Sequence, residues 1–206
     1  MATVTRTAKL GPLDHGLPMT WDDYIAGDYQ EGYRYELIDG RLYVSPWPNF
    51  PEDWVNAWLR IKLAVYAQAN PKVINHVTGP GRVFVPDRPE DEVSAPEPDV
   101  LAYKNFPRNR RKRDIRWQDI SPILVAEILS DDNPHKDLVR NVALYLLVPS
   151  IKEYWILDAR EDADLPTMRV YRRRGKHWQE PIEVGPNETY TTPLLPGFVL
   201  TLDTAG

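Results

Sequence analysis

The sequence predicts a mixed α/β domain of the α+β kind, a β-sheet flanked by helices, and three observations carry that expectation. Residues 122–130, PILVAEILS, form an almost continuous apolar run of the right length for a central strand. Residues 33–44, YRYELIDGRLYV, set two β-prone runs on either side of Asp39-Gly40, which favours a two-residue hairpin turn. The order of elements reads helix, hairpin, helix, several strands, helix, strands. That order suits one mixed sheet rather than regularly alternating parallel units.

The 206 residues suit one domain, with 1–17 as a polar arm and 18–206 as the folded body. At 42% hydrophobic and 27% charged residues, the composition is that of a soluble globular chain. The longest apolar runs, about eight residues, are well short of the ~20 that span a bilayer. The N-terminal stretch also lacks the apolar core of a secretion signal, so a cytoplasmic location is expected. The absence of cysteine removes disulfides, thiol nucleophiles and thiolate zinc sites together. A net charge of −5 does not suggest a general nucleic-acid coat but leaves room for a local basic surface.

Thr20 is placed to cap a short helix over residues 21–25. In the hairpin that follows, Glu36 faces away from Tyr35 and Leu37, as a solvated strand glutamate or as a functional one. A proline-broken loop at 45–51 precedes a helix over 52–70. Its apolar stripe comprises Trp54, Ala57, Trp58, Ile61, Leu63, Ala64 and Val65, and reads as core or subunit interface. Short β pieces between 73 and 85 are interrupted by Thr78-Gly79-Pro80-Gly81, and the acidic loop 86–98 leads into a second core strand, 97–103. After the central strand, Asn133 or Asp132 can cap a helix with Pro134 at its first position, running to about Leu147. Leu138, Val139, Val142, Tyr145 and Leu146 form its apolar face; Lys136, Asp137, Arg140 and Asn141 lie on the other side. Strand pieces at 154–158, 168–173, 177–178 and 198–202 complete the sheet, with Gly175 as a hairpin turn.

Chemistry concentrates on the two core strands. Glu127 sits in the middle of the apolar run, where an uncompensated carboxylate is costly. Asp99 opens the strand before it. Two carboxylates on strands ~4.8 Å apart, facing the same way, can share one Mg²⁺ with ligands at ~2.1 Å. Such an ion activates water and polarises a phosphoryl oxygen, as phosphodiester hydrolysis requires. The loop joining these strands carries Arg108, Arg110, Arg111, Lys112, Arg113 and Arg116, a basic cluster suited to phosphate contacts or, alternatively, a solvated loop. Glycine-rich phosphate loops, dinucleotide fingerprints and a nucleophile elbow are missing from the sequence, and its four histidines are scattered. His135 reads as a helix-start residue.

YELIDG, PEPDV, LVAEILS, an aspartate-rich turn, a helix ending in LY, and KEYWILD occur here in that order. Together they resemble the Uma-type restriction endonuclease family, a branch of the PD-(D/E)XK nucleases, over roughly residues 18–203. The resemblance implies a restriction-endonuclease-like core with a divalent-metal site, Mg²⁺ or Mn²⁺, and a nucleic-acid substrate, DNA by preference. By motif, Asp99 corresponds to the aspartate of the PD element and Glu127 to the acid of the (D/E)XK element. Glu36 corresponds to the acid of the first hairpin. Two residues after Glu127 stands Leu129, so the lysine of the motif is expected on the following helix, where the slot holds Asn141. An asparagine donates hydrogen bonds but brings no charge, so Lys136, or Arg140 in its place, is the expected cation. A homodimer is expected by analogy with nucleases that cut both strands. Two rivals stay open: a nuclease-like binding module acting through the basic loop, and a structural dimer built on the tryptophan-rich helix.

Overall fold

Alternating apolar residues and a few turn dipeptides sort this chain into two units in the computed structural model, which describes residues 9–131 and 133–205. The smaller unit takes Met1–Trp47 and Asp87–Pro96, and the larger takes Pro48–Pro86 and Glu97–Gly206.

In the smaller unit, helix α1 (Trp21–Ala26) begins at Thr20, whose side-chain oxygen accepts the backbone N–H of Asp23 at 3.1 Å. Strands β1 (Tyr33–Ile38) and β2 (Arg41–Pro46) pair antiparallel from Tyr33 opposite Pro46 to Ile38 opposite Arg41. Asp39 and Gly40 both have positive φ, 48° and 66°, which gives the hairpin twist that aspartate and glycine tolerate. Gly40 is also crowded, because a Cβ there would stand 2.0 Å from the carbonyl oxygen of Asp91.

The larger unit begins with α2 (Phe50–Ala69). Its strands are β3 (His76–Thr78), β4 (Val100–Tyr103), β5 (Leu124–Leu129), β6 (Glu153–Asp158), β7 (Thr167–Arg174), β8 (His177–Trp178) and β9 (Ile182–Val184). They form a seven-stranded sheet ordered β3-β4-β5-β6-β7-β8, with β9 also on β7. Only β5 and β6 run parallel within it, so the sheet is mixed as the sequence predicts. A separate pair, β10 (Thr189–Thr191) and β11 (Val199–Thr201), packs on it through Tyr190 and Leu200.

The apolar run of β5, broken only by Glu127, follows from burial on both faces. Leu124, Ala126 and Ile128 look toward Val55, Leu59 and Leu63 of α2, while Val125 and Leu129 join Tyr145, Val148 and Tyr154 on the opposite face. The parallel pairing of β5 with β6 requires a crossover. It is made by a π-helical turn, Lys136–Arg140, continuing into α3 (Asn141–Leu146).

Both central helices depart in part from the sequence expectation in which residues they bury. In α2 the buried apolar residues are Val55, Trp58, Leu59, Leu63, Tyr66 and Ala67, whereas Trp54, Ile61 and Val65 are 45%, 61% and 62% exposed. Two apolar stripes run side by side on this helix, and only one meets the sheet. The crossover helix is not regular α throughout, and the turn that departs is the one carrying its polar residues. There Asp137 and Asn141 are buried along with Tyr145 of the expected apolar face, while Val139 of that face is exposed. The cause lies beneath the helix: buried Glu127 needs hydrogen-bond donors, and the wider turn brings Asn141 and Tyr145 to it. Asn133 Oδ1 accepts the Lys136 N–H at 3.3 Å, as a cap should, while Asp132 lies outside the described residues.

Candidate functional site

Strands β4 and β5 are in register with Val100 opposite Ala126, so one further step sets Asp99 opposite Glu127. Alternation then puts both carboxyl groups on the sheet face shared with Leu101, Val125 and Tyr145. Asp99 is 5% exposed and Glu127 1%. The backbone N–H of Ile128 donates to Asp99 Oδ2 at 2.8 Å, which holds the aspartate across the strand pair. The backbone of Asp99 is hemmed in as well, since a Cβ on Gly79 would stand 1.8 Å from its carbonyl oxygen.

Glu127 Oε1 accepts two hydrogen bonds, from Asn141 Nδ2 at 2.9 Å and from the Tyr145 hydroxyl at 2.8 Å. The same Asn141 amide nitrogen donates to Asp137 Oδ1 at 2.9 Å, so one neutral NH₂ group bridges two carboxylates. Lys136 Nζ lies 3.9 Å from Asp137 Oδ1, and Arg140 Nε donates to Asn141 Oδ1 at 3.0 Å. Tyr154 anchors the π-helical turn to the sheet by donating to the Asp137 carbonyl at 2.9 Å. Its phenol is pushed well above its ordinary pKa, first by burial and then by the negative charges of Asp137, Glu127 and Asp99. Three carboxylates thus bear on one buried hydroxyl.

The donor set is oxygen only, which fits a hard cation such as Mg²⁺ or Mn²⁺ and not a thiolate or imidazole metal. Among the described residues no group of three or more histidines, aspartates or glutamates is arranged to hold a metal ion. Asp99 and Glu127 together offer the one or two carboxylates that Mg²⁺ usually takes from protein, with the remaining positions left to water and substrate.

Residues 21–203 match the family described as Uma2, putative restriction endonuclease. The chain belongs to the Uma2 family. A crystal structure from Anabaena variabilis ATCC 29413, described as a putative nuclease belonging to DUF820, is similar to it. The TM-score is 0.66 and the identity 19%, covering 91% of this chain and 96% of that one, so the likeness is one of fold. No curated protein matches the chain.

This Uma2 chain brings together four of the residues singled out from sequence: Asp99, Glu127, Lys136 and Asn141. Glu36 lies in the smaller unit, on β1 opposite Tyr43. At 4% exposure it is not the solvated strand glutamate that one reading allowed. Arg108, Arg110, Arg111, Lys112 and Arg113 are exposed on the loop between β4 and β5. Six cations share residues 106–119 with two acids, Asp114 and Asp119, which pair with Arg111 at 2.6 Å and Arg116 at 2.9 Å. Tyr154 is the residue that sequence reasoning missed. Its signal lies in strand register, not in local sequence: opposite Val125 it falls on the Glu127 face, where a buried phenol needs an acceptor. No helix of the described residues is long and apolar enough to cross a membrane.

Proposed function

We propose that the chain is an endonuclease that hydrolyses phosphodiester bonds of DNA with Mg²⁺ or Mn²⁺. The observation that carries this reading is the pairing of Asp99 and Glu127 across β4 and β5, with Glu127 held by Asn141 and Tyr145. Membership of a family described as restriction endonucleases supports it, as does a fold shared with a protein described as a nuclease.

Asp99 and Glu127 would hold the cation. When bound, it supplies a Lewis acid for a phosphoryl oxygen and a water of lowered pKa. The Ile128 N–H and the Tyr145 hydroxyl orient the two carboxylates in advance, which removes a reorganisation cost from the reaction. Asn141 keeps Glu127 and Asp137 within reach of one amide group, which fixes the two acids side by side. Lys136 stands at the start of the π-helical turn and contributes the positive charge that the lysine slot, filled by Asn141, does not. That charge offsets the negative charge gained by a pentavalent phosphorus. The basic loop, Arg108 to Arg113, would track the phosphate backbone. A homodimer would let each copy cut one strand.

The test is nicking of supercoiled plasmid by the wild type, Asp99→Ala and Glu127→Ala, with Mn²⁺ and with EDTA. Nicking by the wild type alone, and only with metal, is expected. Nicking that persists in EDTA, or in both variants, would overturn the metal mechanism. Salt-sensitive DNA binding without cleavage under any metal condition would put a binding module in its place.

A further inference from the structure

The loop between β4 and β5 also builds a cavity. Phe106, Lys112, Arg116 and Trp117 close one side of a space of about 190 Å³, and the other wall is the sheet edge with His76 and Tyr103. His76 and Tyr103 are cross-strand partners on β3 and β4. The His76 ring stacks on Phe106 with centroids 4.0 Å apart and planes tilted by 33°, while Tyr103 meets Phe106 edge-on at 5.5 Å.

This wall is fixed. Asn75 Nδ2 donates to the Phe106 carbonyl at 2.9 Å, and the Phe106 N–H donates back to Asn75 Oδ1 at 3.0 Å. Burial, with Arg108 and Lys112 nearby, lowers the His76 pKa and so favours the neutral ring. Two cations stand at the mouth: Lys112, with Nζ 5.8 Å from the Phe106 ring centre, and Arg116, 73% exposed and paired with the surface carboxylate of Asp119 at 2.9 Å, an exchangeable partner for a phosphate. Within the wall, Tyr103 is 1% exposed and its hydroxyl has no hydrogen-bond partner among the described residues. A buried hydroxyl without a partner is uncommon and calls for an explanation such as a ligand.

We infer that this cavity takes a single nucleobase, its ring against the aromatic wall of His76, Phe106 and Trp117 and its phosphate at Lys112 and Arg116. The volume is below the ~300–1,000 Å³ of drug-sized sites and suits one ring system. Stacking aromatics beside cations are what single-stranded nucleic acid asks of a protein surface. The Tyr103 hydroxyl supplies a donor for a ring nitrogen or exocyclic oxygen. The base comes either from a strand, from which it is turned out, or from a free nucleotide. The strand source rests on the nucleic-acid reading above, while base binding does not depend on hydrolysis, because the cavity shares no residue with the carboxylate site.

The test is made in EDTA, where no cleavage occurs. A single-stranded oligonucleotide carrying one 2-aminopurine is compared with the same strand abasic at that position, and with free 2-aminopurine nucleoside monophosphate. Stacking is expected to quench the fluorescence and to make the base-bearing strand bind ~5–150-fold tighter than the abasic one. Trp117→Leu should abolish both effects. Tyr103→Phe should keep the quench, weaken binding, and raise Tm because the unpaired hydroxyl is gone. Quenching of the monophosphate to the same extent, at the same affinity, assigns the site to free nucleotides. Quenching confined to the oligonucleotide assigns it to a strand. No quenching of either probe, or quenching that Trp117→Leu leaves intact, overturns the inference. Quenching that persists in a chain that never nicks plasmid refutes the nuclease and leaves the base site standing.

Discussion

Glu127 and Glu153 are the same residue on neighbouring parallel strands, both almost fully buried, at 1% and 3% exposure. They face opposite sides of the sheet and keep different company. Glu153 accepts from Trp155 Nε1 at 2.8 Å, from the Tyr190 hydroxyl at 3.1 Å and from Thr192 Oγ1, with Arg172 Nε at 3.3 Å. A guanidinium and three neutral donors balance that carboxylate within the protein. Glu127 accepts from Asn141 and from the Tyr145 hydroxyl, and two further carboxylates, Asp99 and Asp137, stand in the same neighbourhood, with Lys136 Nζ 3.9 Å from Asp137 Oδ1. Burial alone therefore does not mark a functional acid. On the reading proposed above, what marks it is the gathering of three carboxylates on one face of the sheet, where a further cation is favoured.

The largest effects come from exchanging each acid for its neutral isostere. Glu127→Gln is expected to lower plasmid nicking by more than about 10²-fold, since even losing an outer partner of a metal ligand costs 10- to 100-fold. Glu153→Gln is expected to leave nicking intact and to cost about 1–3 kcal/mol in urea unfolding, as its donors lose a charged acceptor. Equal loss of nicking in both would break the comparison.

Metal should sharpen the difference in stability. At 100 times its Kd, Mn²⁺ is expected to stabilise the wild type and Glu153→Gln by about 2.7 kcal/mol. The same addition should leave Glu127→Gln unshifted in a thermal melt. The tyrosines test the neutral donors. Tyr145→Phe should weaken Mn²⁺ binding about tenfold by releasing Glu127, whereas Tyr190→Phe should leave it unchanged. The smallest effect expected is that of Asn141→Lys, which puts a cation between Glu127 and Asp137. Its metal-free Tm should rise, and its metal-induced Tm shift should shrink.

The sheet was legible because its signals are local. An apolar run of strand length and a hairpin dipeptide each follow from neighbouring residues. Asp99 and Glu127 were legible for a related reason, since each interrupts or opens such a run. The sequence puts Asp137 and Asn141 on one side of their helix, but helical periodicity says which residues share a side and not which side meets the sheet. There the demand of Glu127 for donors overrode the apolar moment, with Val139 turned outward at 52% exposure. The same limit hid the true face of α2, where two apolar stripes compete. Tyr154 and the Glu153 network depend on strand register and on residues more than thirty positions away, such as Tyr190 and Thr192. No short window of sequence contains them.

The central claim is that Glu127 and Asp99 hold a cation while Glu153 does not, and titration calorimetry with Mn²⁺ tests it most directly. The wild type and Glu153→Gln are expected to bind one equivalent with the same affinity, and Asp99→Ala and Glu127→Ala to show no binding. Binding that survives in both alanine variants, or is absent from the wild type at millimolar Mn²⁺, would contradict the account and leave the two acids a structural pair.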